Sequence, residues 1–233
     1  KEEWWQRYPV GHPGHNYGFE DSRFMFLGGH DKFKGIDAEG KPYRAAKNPT
    51  RIGTDAAGQP VYKDNRSDNV KFTTDWLADR TIEFIEAHKA EPFFYVVSIP
   101  DPHTPDAVRE PYDTMYTHMK FHLPRTYNAP RPPGTPRWLM PDGKANDLAA
   151  HVSQYFGMVK CIDDNVGRIL KKLEEEGILE NTIVVFSADH GDLMFEHARM
   201  NKGTILEASA RVPFLIAHGK SAPDPLVPRG KVV

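Results

Sequence analysis

The chain has 233 residues, 39% of them hydrophobic and 11% aromatic, values that fit a globular protein and exclude a disordered one. A formal net charge of -2 excludes a strong general attraction to nucleic acid or an anionic membrane, so any anionic ligand must meet a local cationic site. The single cysteine, Cys161, excludes an intramolecular disulfide framework, and no apolar run is long enough to span a bilayer.

Residues 1–69 read as an irregular, loop-rich segment, with turn dipeptides at Pro13-Gly14, Gly28-Gly29, Glu39-Gly40 and Ala57-Gly58. At most this stretch predicts short strands or a hairpin, such as Pro60-Val61-Tyr62, and it reads as the middle of a domain. Lys1-Glu2-Glu3-Trp4-Trp5 carries neither the apolar region nor the cleavage site of a signal peptide, as would also hold for a mature chain. Residues 70–99 predict a helix and a strand. Thr73 or Thr74 caps the helix, Trp76, Leu77, Ile82, Phe84 and Ile85 form its apolar stripe, and Glu91-Pro92 stops it. The all-apolar run from Phe93 to Ile99 then predicts a strand covered on both faces.

Residues 100–145 form a long excursion dense in proline and aromatics, the kind of loop that covers a site. Tyr112, Tyr116, His118, His122, Tyr127 and Trp138 could line a sugar cleft or simply pack. Residues 146–233 open with a helical stripe from Leu148 through Val152, Phe156, Val159, Ile162, Val166 and Ile169 to Leu173, with Gly177 as its stop. Strands follow at Thr182–Phe186 and Val212–Ala217. Helix–strand alternation predicts an α/β architecture with a mostly parallel sheet. All 233 residues read as one partial domain.

Ligands of open α/β sheets sit beyond the carboxyl ends of the strands, so the polar strand exits carry the chemistry. After Phe186 comes Ser187-Ala188-Asp189-His190-Gly191-Asp192, where Asp189 and His190 suit half of a divalent-cation site. Asp189 as a plain cap of the next turn is the other open reading. His103 sits on the proline-stiffened loop Pro100-Asp101-Pro102-His103-Thr104-Pro105, although a lone loop histidine is more often incidental. Glu196-His197 and Asn201-Lys202-Gly203 add a histidine and a lysine, and Lys202 beside a glycine could reach over an anion as a point charge.

In order along the chain, the run from Ile183 to Phe214 resembles the C-terminal half of the catalytic domain of type-I, formylglycine-dependent sulfatases. It reads Ser-Ala-Asp-His-Gly-Asp, Glu-His, Asn-Lys-Gly-Thr and Arg-Val-Pro in succession. The likeness extends to Phe94–Pro105, to the Tyr155–Gly177 helix, and to Gly18-Phe19 and Gly28-Gly29-His30-Asp31. It implies an alkaline-phosphatase-like α/β/α sandwich, truncated at both ends, and hydrolysis of a sulfate ester, small-molecule or polysaccharide, with carbohydrate favoured. By position, Asp189 and His190 resemble two metal ligands, His103 a sulfate-contacting histidine, and Lys202 the lysine that neutralises a sulfate oxygen and assists the leaving alcohol. His197 resembles a substrate-facing histidine, whereas Arg211, beside Val212-Pro213, reads as structural. The family implies one divalent cation, calcium, although imidazole is an atypical ligand for so hard an ion. It also implies a periplasmic or secreted location.

The family's nucleophile motif, Cys/Ser-x-Pro/Ala-x-Arg, does not occur. Ser98 and Ser221 have the proline without the arginine, and Cys161 lies on the apolar helical stripe, where it reads as a small core residue. The formylglycine and the remainder of the catalytic domain are therefore expected outside this chain, which alone is expected to be inactive. Competing readings are a phosphoester or phosphonate hydrolase of the same superfamily, and a non-catalytic module that binds sulfated glycans. The sequence leaves the oligomeric state open.

Overall fold

The computed structural model describes residues 18–21, 31–142 and 147–218. Gly28-Gly29-His30, the early tryptophans and Ser221 therefore lie outside the described residues.

The chain is α/β, but the described strands are all antiparallel, in place of the mostly parallel sheet predicted. The loop-rich segment, expected to hold at most short strands such as Pro60-Val61-Tyr62, holds a small five-stranded sheet that includes that strand. Strands β1 (Phe33–Ile36), β2 (Pro42–Arg44), β3 (Thr50–Thr54), β4 (Pro60–Lys63) and β5 (Val70–Phe72) lie in the order β2-β1-β5-β4-β3. Each has only 3 to 5 residues, and their apolar positions are few. What holds the sheet together is a patch on one side, where Tyr43, Ala45, Tyr62 and Val70 are buried and Phe33 meets Tyr62 edge-on at 5.1 Å.

β5 runs directly into helix α1 (Thr73–His88). Neither threonine caps it, contrary to expectation: Thr73 Oγ1 donates to the Asp31 carbonyl, and Thr74 Oγ1 donates to Asp101 Oδ2 at 2.6 Å. Both hydroxyls are buried and are spent on tertiary contacts. After α1, residues 93–97 belong to no ladder among the described strands. Phe93 and Tyr95 pack on Phe84 of α1, at 5.4 and 4.4 Å, while Phe94 and Val96 are 78% and 55% exposed. The apolar run thus has one covered face, with the period-2 alternation of a strand.

Helix α3 (Leu148–Glu175) spans the predicted stripe, and Val152, Ile162 and Leu173 of it are buried, but Phe156 and Val159 are exposed and Gly157, Met158 and Asn165 are buried instead. The Asp147 side chain accepts from Ala150 N at its start. At its end Ile178 N donates to Leu173 O and Gly177 N to Glu174 O, a complete Schellman closure with Gly177 left-handed at φ 71°. Cys161 is fully buried there with Phe72, Val108, Tyr112 and Met158, and burial pushes its thiol far above the thiolate range, so it is a core residue. Tyr112, in the short helix α2 (Tyr112–Met115), belongs to this core and donates to Asp164 Oδ2, so it packs and lines no cleft.

α1 and α3 are joined through charge. Asp75 is fully buried and accepts two hydrogen bonds from Arg109, from Nε and Nη2, and one from Asn165 Nδ2 at 2.9 Å. Arg109 reaches on to Gln59 Oε1 at 2.7 Å. One turn along, Asp79 bridges Lys71 of β5 and Arg168 of α3. The small sheet, both long helices and the start of the excursion thus share one polar network.

Strands β6 (Ile183–Ser187) and β7 (Phe214–His218) form a separate antiparallel ribbon. Its apolar residues stand open, with Ile183 and Phe214 each 66% exposed. Beyond β6 the backbone is knitted to helix α4 (Glu207–Ala210): Gly191 N donates to Ser209 O at 2.8 Å. A Cβ at Gly191 would stand 2.1 Å from the Ala208 carbonyl oxygen, so only glycine fits. No helix of the described residues is long and apolar enough to cross a membrane.

Two outcomes follow for denaturant unfolding. Asp75→Ala strands Arg109 without its partner and is expected to cost about 3–5 kcal/mol, while the paired change Asp75→Leu with Arg109→Met recovers most of that loss. Gly191→Ala is expected to cost about 1–3 kcal/mol by forcing apart the turn after β6 and α4.

Candidate active site

Three segments converge on the site: the loop after residue 99, the turn after β6, and the loop that follows it. Their chemistry begins with His103. Its Nδ1 lies 2.8 Å from the Thr104 carbonyl, a group that only accepts, so Nδ1 carries the proton and Nε2 presents a lone pair. Lys202 Nζ stands 2.5 Å from that Nε2, across 99 residues of sequence. The structure therefore brings together two of the predicted residues, the Lys202 amine and the His103 imidazole.

His103 is held by buried charge. Lys32 Nζ donates to Asp101 Oδ1 at 2.5 Å and to the His103 carbonyl at 2.9 Å, with side-chain exposures of 9% for Lys32 and 2% for Asp101. Asp101 also takes the Thr74 hydroxyl, which ties the loop to the first turn of α1. Sequence reasoning missed Lys32, Asp101 and Thr74. Their only signal was Asp101 beside His103.

Asp189 and His190 form a second pair. Asp189 Oδ1 accepts from His190 N, and its side chain is 87% exposed. His190 Nδ1 lies 2.7 Å from the Gly191 carbonyl, which fixes its tautomer and leaves Nε2 as the acceptor, 3.6 Å from Asp189 Oδ2. One carboxylate oxygen and one imidazole nitrogen at that separation can share a cation with ligand distances of about 2.0–2.6 Å. The described residues contain no group of three or more His, Cys, Asp or Glu side chains that could hold a metal by themselves.

Between the two pairs stands Asp192, absent from the predicted set although it closes the same Asp-His-Gly-Asp motif. Its Oδ1 accepts from Met194 N at 2.9 Å and from Asn201 N at 3.1 Å. Burial pushes its carboxyl above the ordinary carboxylate range; Asp106 adds to the rise, while the two backbone donors and His103 oppose it. Asp106 in turn is bonded to His151 Nδ1 on α3. Sequence spacing could not show that α3 contributes this histidine.

From 193 to 201 the chain forms a closed loop, zipped at its base by Leu193 N to Asn201 O at 2.7 Å. Leu193, Phe195 and Met200 are buried beneath it. Five non-glycine residues are left-handed here: Met194, Phe195, His197, Ala198 and Asn201, with φ from 36° to 73°. His197 is at the tip, apart from the His103–Lys202 pair in its bonding. Its N–H donates to Thr126 Oγ1 and its carbonyl accepts from Arg131 Nη2 at 2.7 Å, so the excursion grips this loop. His197 borders a cavity of about 380 Å³ with Thr126, Glu196, Glu207 and Arg211. Arg211 pairs with Glu207 at 3.4 Å at an exposed position.

These features meet an independent comparison. The family model described as Sulfatase matches residues 6–228. The chain is 31% identical over 159 residues to the arylsulfatase of Clostridium perfringens, covering 61% of this chain and 31% of that protein. It is 29% identical over 166 residues to the ulvan-active sulfatase of Formosa agariphila, covering 67% of this chain and 30% of that protein. Among solved structures, BT4656 in complex with its substrate D-glucosamine-2-N,6-O-disulfate superposes with a TM-score of 0.53 at 18% identity, over 70% of this chain and 45% of that one, a likeness of fold. The chain spans about a third of the length of these two curated relatives. With the family model covering nearly the whole chain, it belongs to the Sulfatase family and carries part of that family's alkaline-phosphatase-like fold.

Proposed function

We propose that the protein carrying this chain hydrolyses sulfate esters, that His103 and Lys202 receive the sulfate group, and that Asp189 and His190 supply two ligands to a divalent cation, calcium. The observation that carries this reading is the 2.5 Å contact between Lys202 Nζ and His103 Nε2 in a chain of this family. Lys202 is half-buried and its ammonium meets an imidazole here, so its positive charge can serve an incoming anion. An ammonium and an imidazole on adjoining loops can each contact a different sulfate oxygen. As the ester bond breaks, Lys202 is the group able to stabilise the departing alkoxide, by fixed electrostatics and by donating a proton. His103 keeps its orientation through Nδ1 on Thr104 and through the Lys32–Asp101 clamp. A bound cation would neutralise further sulfate oxygens.

The nucleophile is assigned to a formylglycine outside these 233 residues, since no Cys/Ser-x-Pro/Ala-x-Arg run occurs in them. A sulfated carbohydrate is the favoured substrate class, supported by the ulvan-active relative and by the cavity beside His197, whose hydroxyl, carboxylates and guanidinium suit a polyhydroxyl ligand. A periplasmic or secreted location goes with such a substrate.

In the full-length protein, Lys202→Ala and His103→Ala are each expected to lower kcat on a sulfated sugar by about 10²–10³-fold, the scale of losing one oxyanion donor. Unchanged kcat in both would overturn the reading, as would faster turnover of a matched phosphonate ester. Exhaustive chelation is expected to abolish activity and calcium to restore it; full activity after chelation would remove the cation from the proposal. The 233-residue chain by itself is expected to show no turnover.

A further inference from the structure

We propose that Asp192 is the positioning residue that sets Lys202 against His103, acting through the backbone of Asn201. This rests on the reading of His103 and Lys202 as the sulfate-receiving pair. A lysine amine on a four-carbon stem is placed only as well as its own backbone is placed. Here that backbone is fixed immediately upstream from two directions: Asn201 N donates to Asp192 Oδ1 at 3.1 Å, and Asn201 O accepts from Leu193 N at 2.7 Å. Asn201 is left-handed at φ 64° and Gly203 at φ 94°, so the chain reverses on either side of Lys202, and its direction depends on that anchorage. The same carboxylate oxygen takes Met194 N at 2.9 Å, so one side chain satisfies a donor at each end of the 193–201 loop. These are charge-assisted bonds in a half-buried place, among the stronger hydrogen bonds a side chain makes.

The loop between those ends is rigid because its apolar side chains are fully seated, with Leu193 at 0%, Phe195 at 1% and Met200 at 5% exposure. A displacement at Asp192 is therefore passed to Lys202 instead of being absorbed along the loop. Asp192 also follows Asp189 and His190 in one turn, which itself is pinned by Gly191 N to Ser209 O. One short segment thereby sets the spacing of the cationic loop from the proposed cation ligands. Asp192 acts on Lys202 through the backbone of Asn201, whose N–H it accepts.

The test is a double-mutant cycle in the full-length protein, with an aryl sulfate as probe, reading kcat and KM together with bound-cation content. Asp192→Ala is expected to lower kcat by about a hundredfold, the cost of a misplacement near 1 Å, with KM little changed. Asp192→Asn keeps an acceptor oxygen in place and is expected to retain kcat within about threefold. In a Lys202→Ala background, Asp192→Ala is expected to add almost nothing, because the group it positions is gone. Should Asp192→Ala not fold, Asp192→Ser is read the same way, since its hydroxyl is too short to reach both N–H groups. Loss of kcat in Lys202→Ala combined with a fully additive Asp192→Ala overturns the positioning role alone. Loss of bound cation in Asp192→Ala overturns it in favour of a ligand role. An unaffected Lys202→Ala overturns the underlying reading of the pair instead.

Discussion

The ion pair between Asp75 and Arg109 is the constraint on which the rest of the molecule hangs. Both side chains are almost completely shielded from water, with 0% and 4% exposure. Two charges in such a place are tolerable only if each is fully bonded, and the surrounding elements are arranged to meet that demand. Asn165 of α3 donates to Asp75, Gln59 of the loop before β4 accepts from Arg109, and the Glu110 carbonyl accepts from its Nη1. Helix α1, helix α3, the small sheet and the excursion are thereby held in one relative placement. An apolar core alone would permit sliding of these surfaces, whereas this arrangement has a single register.

From that frame the active-site loops inherit their positions. Thr74, one residue before Asp75, bonds Asp101, and Asp101 with Lys32 holds the His103 carbonyl. On the other side α3 presents His151 to Asp106, three residues beyond His103. The excursion meets the loop of His197 through Thr126 and Arg131, and Val152 of α3 packs with Phe195 and Met200 beneath it. His103 and Lys202 thus meet where two anchored loops come together, the first tied to both long helices and the second to α3.

Much of this was legible in the residues, and the failures have physical causes. Helix α3 declared itself because its apolar positions repeat every three or four residues over 28 residues, and Gly177 ends it as predicted. β6 and β7 were visible as apolar runs, but their antiparallel pairing was not, since a run of Ile, Val and Phe reads the same in either direction. Of the strands before α1, β4 was anticipated as Pro60-Val61-Tyr62, while the others went unlocated because each is at most 5 residues long and draws its stability from cross-strand aromatics, not from periodicity. Residues 93–97 read as a doubly covered strand because an all-apolar sequence hides which side is buried. For the site, the likeness in motif order found His103 and Lys202, and the structure supplied their contact. Lys32, Asp106, His151 and Asp192 were invisible because each acts on a partner that only the folded chain brings near, or through a backbone group that no side-chain motif encodes.

The left-handed backbone between residues 194 and 201 has a consequence for how this site can vary. Tolerance along the loop is governed by torsion angles before side-chain chemistry is considered. Judged by torsion alone, asparagine or glycine suits these left-handed positions, while valine, isoleucine and threonine are disfavoured there because their branched Cβ crowds the backbone; Phe195 is held besides by its buried side chain. His197, at the tip, could therefore change to asparagine or glycine among relatives with different substrates, and the cavity beside it would be reshaped without disturbing the buried Phe195 and Met200 that seat the loop. Variation around this cavity is thus channelled toward a small alphabet of residues, written on a fixed backbone.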